Sequence, residues 1–162
     1  MKKIIAFFLT IIFALNLCAC SKNYDDYTYQ TVTLSSADNK INAFECSFKC
    51  PENMTFSTHL HNIYLYSDGN TMADTEIWLF VFGNTFEQFQ TNNSTYSTFD
   101  GYLSSEKITD SFHIHYFADG TRVAEYYMED IDVGITVHYY DDGYKEIVMK
   151  LLNTFSVKRI NT

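Results

Sequence analysis

The sequence predicts one α+β domain in which an antiparallel β-sheet is flanked by helices on both faces. Apolar and polar residues alternate over residues 43–50, which is the pattern of a strand. Residues 75–82 are apolar on both sides, so a strand there needs cover on both of its faces. Apolar residues between Tyr144 and Phe155 recur at the i, i+3, i+4 and i+7 spacing of an amphipathic helix. The domain is expected to span residues 27–162.

The first part of this domain is predicted to be mainly strand. Tyr27–Leu34 alternates enough to form a first strand, and a loop over residues 35–42 leads to the second. The second strand, residues 43–50, should stop at Pro51, which lacks the backbone N–H that a sheet ladder needs. A third strand is expected over residues 62–66, where a turn rich in Ser, Asp, Gly and Asn follows it.

The strand over residues 75–82 is the most apolar segment of the domain. Its alternate residues would point Ile77, Leu79 and Val81 to one face and Trp78, Phe80 and Phe82 to the other. A strand that is apolar on both sides belongs in the interior of a covered sheet. We therefore expect it at the centre of the sheet.

A long segment without strand character follows over residues 84–103. Asn84 or Thr85 is the expected N-cap of a helix that carries Phe86 and Phe89 inward. Residues 90–95 are all polar, so a mobile loop is predicted there.

Residues 111–128 contain the clearest hairpin signal. Asp119-Gly120 is a preferred pair for the two-residue type I′ turn. Such a turn fixes which residues of the two strands face each other. The cross-strand pairs expected from it are His115 with Ala124 and Ile114 with Glu125.

The last part of the chain is predicted to be strand, helix and strand. Residues 133–140 alternate as a strand, and Asp141-Asp142-Gly143 turns the chain into the amphipathic helix. An acidic residue at the start of this helix suits its dipole. Residues 155–160 then return to the sheet as a short strand.

Cys46 and Cys50 lie four residues apart on the second predicted strand. That spacing is about 13 Å on a straight strand, whereas a disulfide needs Cα atoms within roughly 7 Å. Both are therefore predicted to be small buried residues with free thiols. A bulge near Pro51 would allow a disulfide, and a metal-binding pair is the other alternative.

Two segments resemble the PsbP-like proteins, the superfamily of the photosystem II extrinsic protein P. Residues 44–53, Phe-Glu-Cys-Ser-Phe-Lys-Cys-Pro-Glu-Asn, are similar to the family's Phe-x-Phe-x-x-Pro-Glu opening. Residues 152–157, Leu-Asn-Thr-Phe-Ser-Val, are similar to the end of its terminal helix and the strand after it. The resemblance implies a PsbP-like α/β/α sandwich, and it carries no catalytic residue with it.

The N-terminus resembles the signal peptide of a bacterial lipoprotein. Met1-Lys2-Lys3 is basic and residues 4–15 are almost entirely apolar, too short a run for a membrane-spanning helix. Leu17-Cys18-Ala19-Cys20 follows in the order of a lipobox. The resemblance implies a diacylglyceryl thioether on Cys20, removal of residues 1–19 and a tether over residues 20–26. An ordinary secretory peptide cut nearby is the alternative.

Charge limits the partners of the mature chain. Cleavage removes Lys2 and Lys3, which leaves nine basic against 20 acidic residues and a net charge of −11. This charge argues against nucleic acid, which requires clustered Lys and Arg, and against electrostatic docking to anionic lipid. The acyl chains would therefore hold the protein at the extracytoplasmic face of the cell membrane.

The histidines are the only candidates for inner-sphere chemistry. His59 with His61 and His113 with His115 are spaced so that two imidazoles share a strand face, and His138 is the fifth histidine. A zinc site needs three or four converging ligands. The predicted hairpin places Tyr126 and Ala124 opposite His113 and His115, with His138 two strands away. We therefore predict no metal site and no cofactor.

Two other features bear on ligands. The acidic run over residues 129–132 has no calcium-loop spacing and is predicted to be a solvated turn. The pairs Tyr126-Tyr127 and Tyr139-Tyr140 put one ring on each sheet face, where a ring packs in the core or, on an open face, stacks on a sugar or contacts a partner.

The sequence contains no catalytic motif of the hydrolase, phosphate-loop or zinc-protease type. The function predicted is therefore that of a non-enzymatic, membrane-anchored lipoprotein that recruits or supports another envelope protein. The alternative is a lipoprotein that binds a small ligand or a metal through the histidine and tyrosine faces of its sheet.

Overall fold

The computed structural model describes residues 26–35 and 43–160. In those residues the chain forms ten strands and two α-helices, and every strand pair is antiparallel. The α+β class is confirmed, but the strands lie in two sheets rather than in the single sheet expected. The predicted signal peptide, Cys20 and most of the loop over residues 35–42 lie outside the described residues.

The smaller sheet has three strands: β1 (Tyr27–Leu34), β2 (Ala43–Pro51) and β10 (Ser156–Ile160). β2 is the middle strand, with β1 on one side and β10 on the other. Strands were predicted at all three places. The expectation that the last strand rejoins the main sheet is wrong, because β10 pairs with β2 instead.

The larger sheet has seven strands. In chain order they are β3 (Met54–His59), β4 (Asn62–Ser67), β5 (Ile77–Gly83), β6 (Tyr102–Thr109), β7 (Phe112–Phe117), β8 (Arg122–Met128) and β9 (Val133–Tyr139). Their spatial order is β3-β4-β5-β9-β8-β7-β6. The central strand is therefore β9, in which six of seven residues are buried, and the expectation that β5 lies at the centre is wrong.

Neither edge strand of the larger sheet, β3 or β6, was predicted from the sequence. β3 joins β4 through a tight turn in which Leu60 takes a positive φ of 56°. A turn of this kind normally contains Gly or Asn, so the segment lacks the expected turn residues. β6 is exposed along almost its whole length, and two register shifts interrupt its pairing with β7. Such irregularity is typical of an edge strand.

The β7–β8 hairpin forms, but its register is shifted by one residue from the one predicted. The observed partners are Ile114 with Ala124, His113 with Glu125 and His115 with Val123. The loop has three residues rather than two, since the Phe117 N–H donates to Thr121 O. Gly120 takes a φ of +92°, the left-handed residue that closes a three-residue hairpin loop.

The first helix, α1 (Phe86–Thr95), begins with a capping box. Thr85 Oγ1 accepts from the Gln88 N–H, and the Gln88 side chain accepts from the Thr85 N–H. The helix continues through residues 90–95, where a mobile loop was predicted. Polar side chains hold this turn, because Thr91 Oγ1 donates to Glu87 O and Asn93 Nδ2 donates to Phe89 O.

The second helix, α2 (Lys145–Thr154), confirms the predicted apolar stripe. Ile147, Val148, Leu151 and Leu152 are buried in one cluster with residues of both sheets. The larger sheet contributes a row of five cross-strand neighbours: Ile63, Leu79, Val137, Ala124 and Ile114. We call the face that carries this row the core face.

Cys46 and Cys50 point into this core from β2. Both are buried and free, as predicted. Burial raises the pKa of each thiol to about 12. Neither thiol is therefore ionised at neutral pH.

In the part of the chain that the structure describes, no helix is long and apolar enough to cross a membrane.

Candidate functional site

The opposite face of the larger sheet is lined by aromatic side chains, and we call it the aromatic face. Trp78, Phe80 and Phe82 of β5 lie on it, alternating with the buried aliphatic residues of the core face. Trp78 stacks on His138 of β9 with 4.8 Å between ring centroids. Phe80 is 38 % exposed on this face, so the expectation that both faces of β5 are fully covered is wrong.

The segment after β5 covers the β7–β8 half of this face. Phe89 of α1 is fully buried, with its ring centroid 5.3 Å from that of Tyr127. Tyr96, in the 3₁₀ turn after the helix, stacks on His115 at 4.1 Å. The uncovered part of the aromatic face is therefore the β5 side, beside Tyr96.

His115 anchors this covering segment to the sheet. Its Nε2 lies 2.8 Å from Asn93 Oδ1, and its Nδ1 lies 2.7 Å from Ser105 Oγ. The amide nitrogen of Asn93 donates to Phe89 O, which orients the amide oxygen of Asn93 towards His115. Asn93 Oδ1 therefore accepts the hydrogen bond from His115 Nε2–H. Nδ1 then accepts from the Ser105 hydroxyl. Both ring nitrogens are occupied, and burial lowers the pKa of His115 to about 4, so the ring is neutral.

Glu125 is a buried carboxyl at the edge of the covered region. Only 2 % of the residue is exposed. Its Oε1 accepts hydrogen bonds from Tyr96 at 2.5 Å and from Thr136 at 2.8 Å. The ion pairs among the described residues use other carboxylates. Burial raises the pKa of Glu125 because the charged form is poorly solvated there.

An open cavity of about 400 Å³ lies between Glu125 and the uncovered aromatic residues. Four aromatic and four polar residues line it: Phe80, Phe82, Tyr96, Phe99, Asn92, Thr95, Glu125 and Thr136. Phe99 is 52 % exposed at the mouth. The arrangement is that of a small-molecule site, concave and largely apolar with few polar groups.

A second cavity of about 460 Å³ shares Phe82 with the first, since this residue lines both. Its polar lining carries mixed charge, with Arg159 and Asp132 on neighbouring walls. Arg159 Nη2 donates to Asp132 O at 3.0 Å, so the guanidinium is partly used within the fold. His61 also lines it, and its Nε2 is buried without a hydrogen-bond partner among the described residues.

The structure separates the histidines that the sequence grouped. His113 and His115 do share one face of β7, with ring centroids 6.4 Å apart. His138 occupies the same cross-strand row as His115, with Val123 between them. The intervening residues opposite His113 and His115 are Glu125 and Val123, not the Tyr126 and Ala124 predicted.

His59 and His61 do not share a strand, because His59 ends β3 and His61 lies in the turn before β4. Among the described residues, no three His, Cys, Asp or Glu side chains are placed to hold one metal ion. The acidic run is a 3₁₀ turn over Glu129–Ile131 followed by Asp132 at φ 52°. Its Asp132 accepts a hydrogen bond from Tyr127 at 2.6 Å.

Glu125 and Tyr96 were missed by sequence reasoning. The available signal was a lone acidic residue inside the apolar strand β8, between Ala124 and Tyr126. The predicted register concealed the role of this residue, because it placed Glu125 opposite Ile114, an aliphatic residue of the core. No sequence pattern indicated that Tyr96 would reach it across 29 residues of chain.

Comparisons with protein-family models, with curated proteins and with solved structures found no match to this chain.

Proposed function

We propose that this protein is a non-enzymatic lipoprotein, anchored through Cys20 at the extracytoplasmic face of the cell membrane, that recruits another envelope protein. The lipobox pattern and the net charge of −11 expected after cleavage support the anchored location and argue against nucleic acid. The state of the candidate reactive groups supports a binding role. The thiols are buried and protonated, and both nitrogens of His115 are occupied.

We further propose that the domain is a PsbP-like α/β/α sandwich. Support comes from the two helices, since Phe89 of α1 packs on Tyr127 of the aromatic face and α2 joins the buried cluster of the core face. The motif similarity of residues 44–53 lies on β2 and the start of the turn after it.

The observation that carries the recruitment role is the exposure of Phe80 on an internal strand. The open face of an antiparallel sheet normally carries polar residues, so a partly exposed aromatic ring there marks a candidate interaction surface. Phe99 lines the same cavity as Phe80 and is more than half exposed. A partner that covered this part of the aromatic face would bury both rings.

A site-specific photocrosslinker tests this role in living cells. The crosslinking amino acid is placed at Phe80 and, as the matched control, at Tyr140, an aromatic residue that is 60 % exposed away from the cavity. We expect one discrete protein adduct from position 80 and none from position 140. Equal adducts from both positions, or none from either, would contradict recruitment through this face.

Binding of a small ligand is the second candidate function, and the cavity above Glu125 favours it. Four aromatic rings and one buried carboxyl converge on a space large enough for a small organic molecule. Native mass spectrometry of the lipoprotein purified from its own envelope tests this role, because a retained solute adds a fixed mass. A chain mass with no adduct would contradict the small-ligand role. If position 80 also gave a crosslink, recruitment would be the one role supported.

A further inference from the structure

Glu125 is an unusual residue to find beneath aromatic rings. A carboxyl that is 2 % exposed costs free energy when ionised unless a positive charge or several donors compensate it. Two donors do so here, and both bind the same oxygen, Oε1. Within the described residues no hydrogen bond reaches Oε2, and no Lys or Arg forms an ion pair with this carboxyl.

The walls of the cavity supply the complementary half of a cation site. The rings of Phe80 and Phe82 stack on each other at 5.3 Å with 21° between their planes, and those of Tyr96 and Phe99 meet edge to face at 5.4 Å and 67°. Both pairs line the same space as Glu125. Aromatic faces attract cations through their quadrupole, and more strongly where water is excluded.

We propose that the cavity above Glu125 binds a quaternary ammonium group, an inference that rests on the small-ligand role proposed above. Glu125 supplies the negative charge in its ionised form, and the partly exposed rings of Phe80 and Phe99 supply the aromatic surface for a cation–π contact. A methylated cation places its apolar surface against the rings and its charge over the carboxylate. Its entry favours the ionised form of this carboxyl, which has no ionic partner in the described part of the chain.

The hydrogen-bonding capacity of the floor favours a methylated cation over a primary ammonium. A primary ammonium brings three N–H donors that all need acceptors in a desolvated site. Glu125 Oε1 already accepts two hydrogen bonds, so among the described contacts of this carboxyl Oε2 is the one oxygen left for three N–H groups. A quaternary ammonium has no N–H and needs only the charge and the ring faces.

Calorimetric titration of the mature lipoprotein in a non-ionic detergent tests the inference with choline as the probe. The neutral isostere 3,3-dimethylbutan-1-ol has the same shape and lacks the charge. We expect choline to bind one to one and the alcohol to bind at least about tenfold more weakly. Glycerophosphocholine, as a third probe, distinguishes a lipid headgroup, which should then bind more tightly than choline, from a free solute.

Two variants with matched controls assign the binding to this cavity. Glu125→Gln removes the charge and keeps an oxygen for Tyr96 and Thr136, so choline affinity should fall by about tenfold or more. Glu87→Gln removes an exposed carboxylate of α1 and should leave the affinity unchanged. If Glu125→Gln does not fold, Phe80→Ala serves instead, because this ring is partly exposed, with Tyr140→Ala as its control.

The outcomes separate this inference from the role on which it rests. Equal affinity for choline and the alcohol would overturn the ammonium preference while leaving a ligand-binding cavity. Choline binding that Glu125→Gln and Phe80→Ala both leave intact would place the ligand elsewhere and overturn the assignment. No binding by any of the three probes would overturn the inference, whereas the native mass measurement would still decide the small-ligand role.

Discussion

The hydroxyl of Tyr96 donates a 2.5 Å hydrogen bond to Oε1 of Glu125 and so ties the segment after α1 to the interior of the larger sheet. The same ring stacks on His115, whose side chain binds Asn93 of the helix. The covering segment is therefore held at two successive points, one through an imidazole and one through a carboxyl. This attachment leaves the β5 half of the aromatic face open.

Tyr96→Phe should lower the free energy of unfolding by about 2 kcal/mol, because it leaves a buried carboxyl with one donor fewer. Chemical denaturation at neutral pH measures the change. Tyr116→Phe is the matched control, since Tyr116 donates a hydrogen bond of the same length to Glu106 at an exposed site. A loss as large for Tyr116→Phe would show that burial does not strengthen the Tyr96 bond.

The neutral state of His115 predicts an acid-sensitive fold. Its pKa falls from an ordinary value of 6.5 to about 4, mainly through burial and secondarily through His113. Below pH 6.5 the unfolded chain therefore binds a proton that the folded chain does not, so stability decreases as the pH falls towards 4. Between pH 7.5 and 5 the loss from this residue should be about 2 kcal/mol.

His115→Gln should flatten this pH dependence when unfolding is followed at both pH values. The variant also lowers stability at pH 7.5, so the slope with pH, rather than the absolute stability, is the informative quantity. His59→Gln is the control, because His59 is exposed at the β3–β4 turn. An unchanged slope in His115→Gln would assign the acid sensitivity to other groups.

The elements with a strong periodic signal were predictable from sequence, and the relations between them were not. The stripe from Ile147 to Leu152 and the two-sided pattern of β5 identify a helix and an interior strand. Neither pattern encodes which strands pair. The pairing of β10 with β2 in a separate sheet could therefore not be predicted. The strand order β5-β9-β8 likewise depends on long-range pairing, which the local hydrophobic pattern does not determine.

The site was missed for a more specific reason. A one-residue register error in the hairpin exchanges every pair across it. Asp119-Gly120 suggested a two-residue turn, whereas Gly120 closes a three-residue loop and brings Glu125 opposite His113. The polar run over residues 90–95 likewise conceals a helical turn, because what fixes Asn93 is a histidine 22 residues later in the chain.

Cys20→Ala should abolish labelling by a palmitate analogue and either release the protein from membranes or stall it as uncleaved precursor. The lipobox places the thioether on this cysteine, and two acyl chains anchor far more stably than one. Metabolic labelling followed by membrane fractionation measures both effects. Cys18→Ala is the matched control, since residue 18 leaves with the signal peptide and labelling should persist. A wild-type chain without label would contradict the anchor.

Gly134→Ala should displace the Phe82 ring, which belongs to the lining of both cavities. Gly134 lies opposite Phe82 in the β5–β9 pairing, and a Cβ added there would approach Phe82 Cζ to 2.7 Å. The Phe82 ring therefore covers the glycine, and a methyl group must displace it. Overpacking of this kind typically costs about 1–3 kcal/mol, and thermal unfolding should reveal it.

The control and the rescue distinguish ring displacement from a general backbone effect. Gly83→Ala, at the end of β5, meets only Arg159 Nη2 at 3.5 Å and should cost much less. Phe82→Ala loses a partly buried ring, and in that background the Gly134→Ala substitution should cost almost nothing, because the clash is gone. The coupling between the two substitutions in a double-mutant cycle is the quantity to measure. Strict additivity would mean that Phe82 does not occupy the space above Gly134 in solution, and the shared wall of the two cavities would then have to be assigned to another side chain.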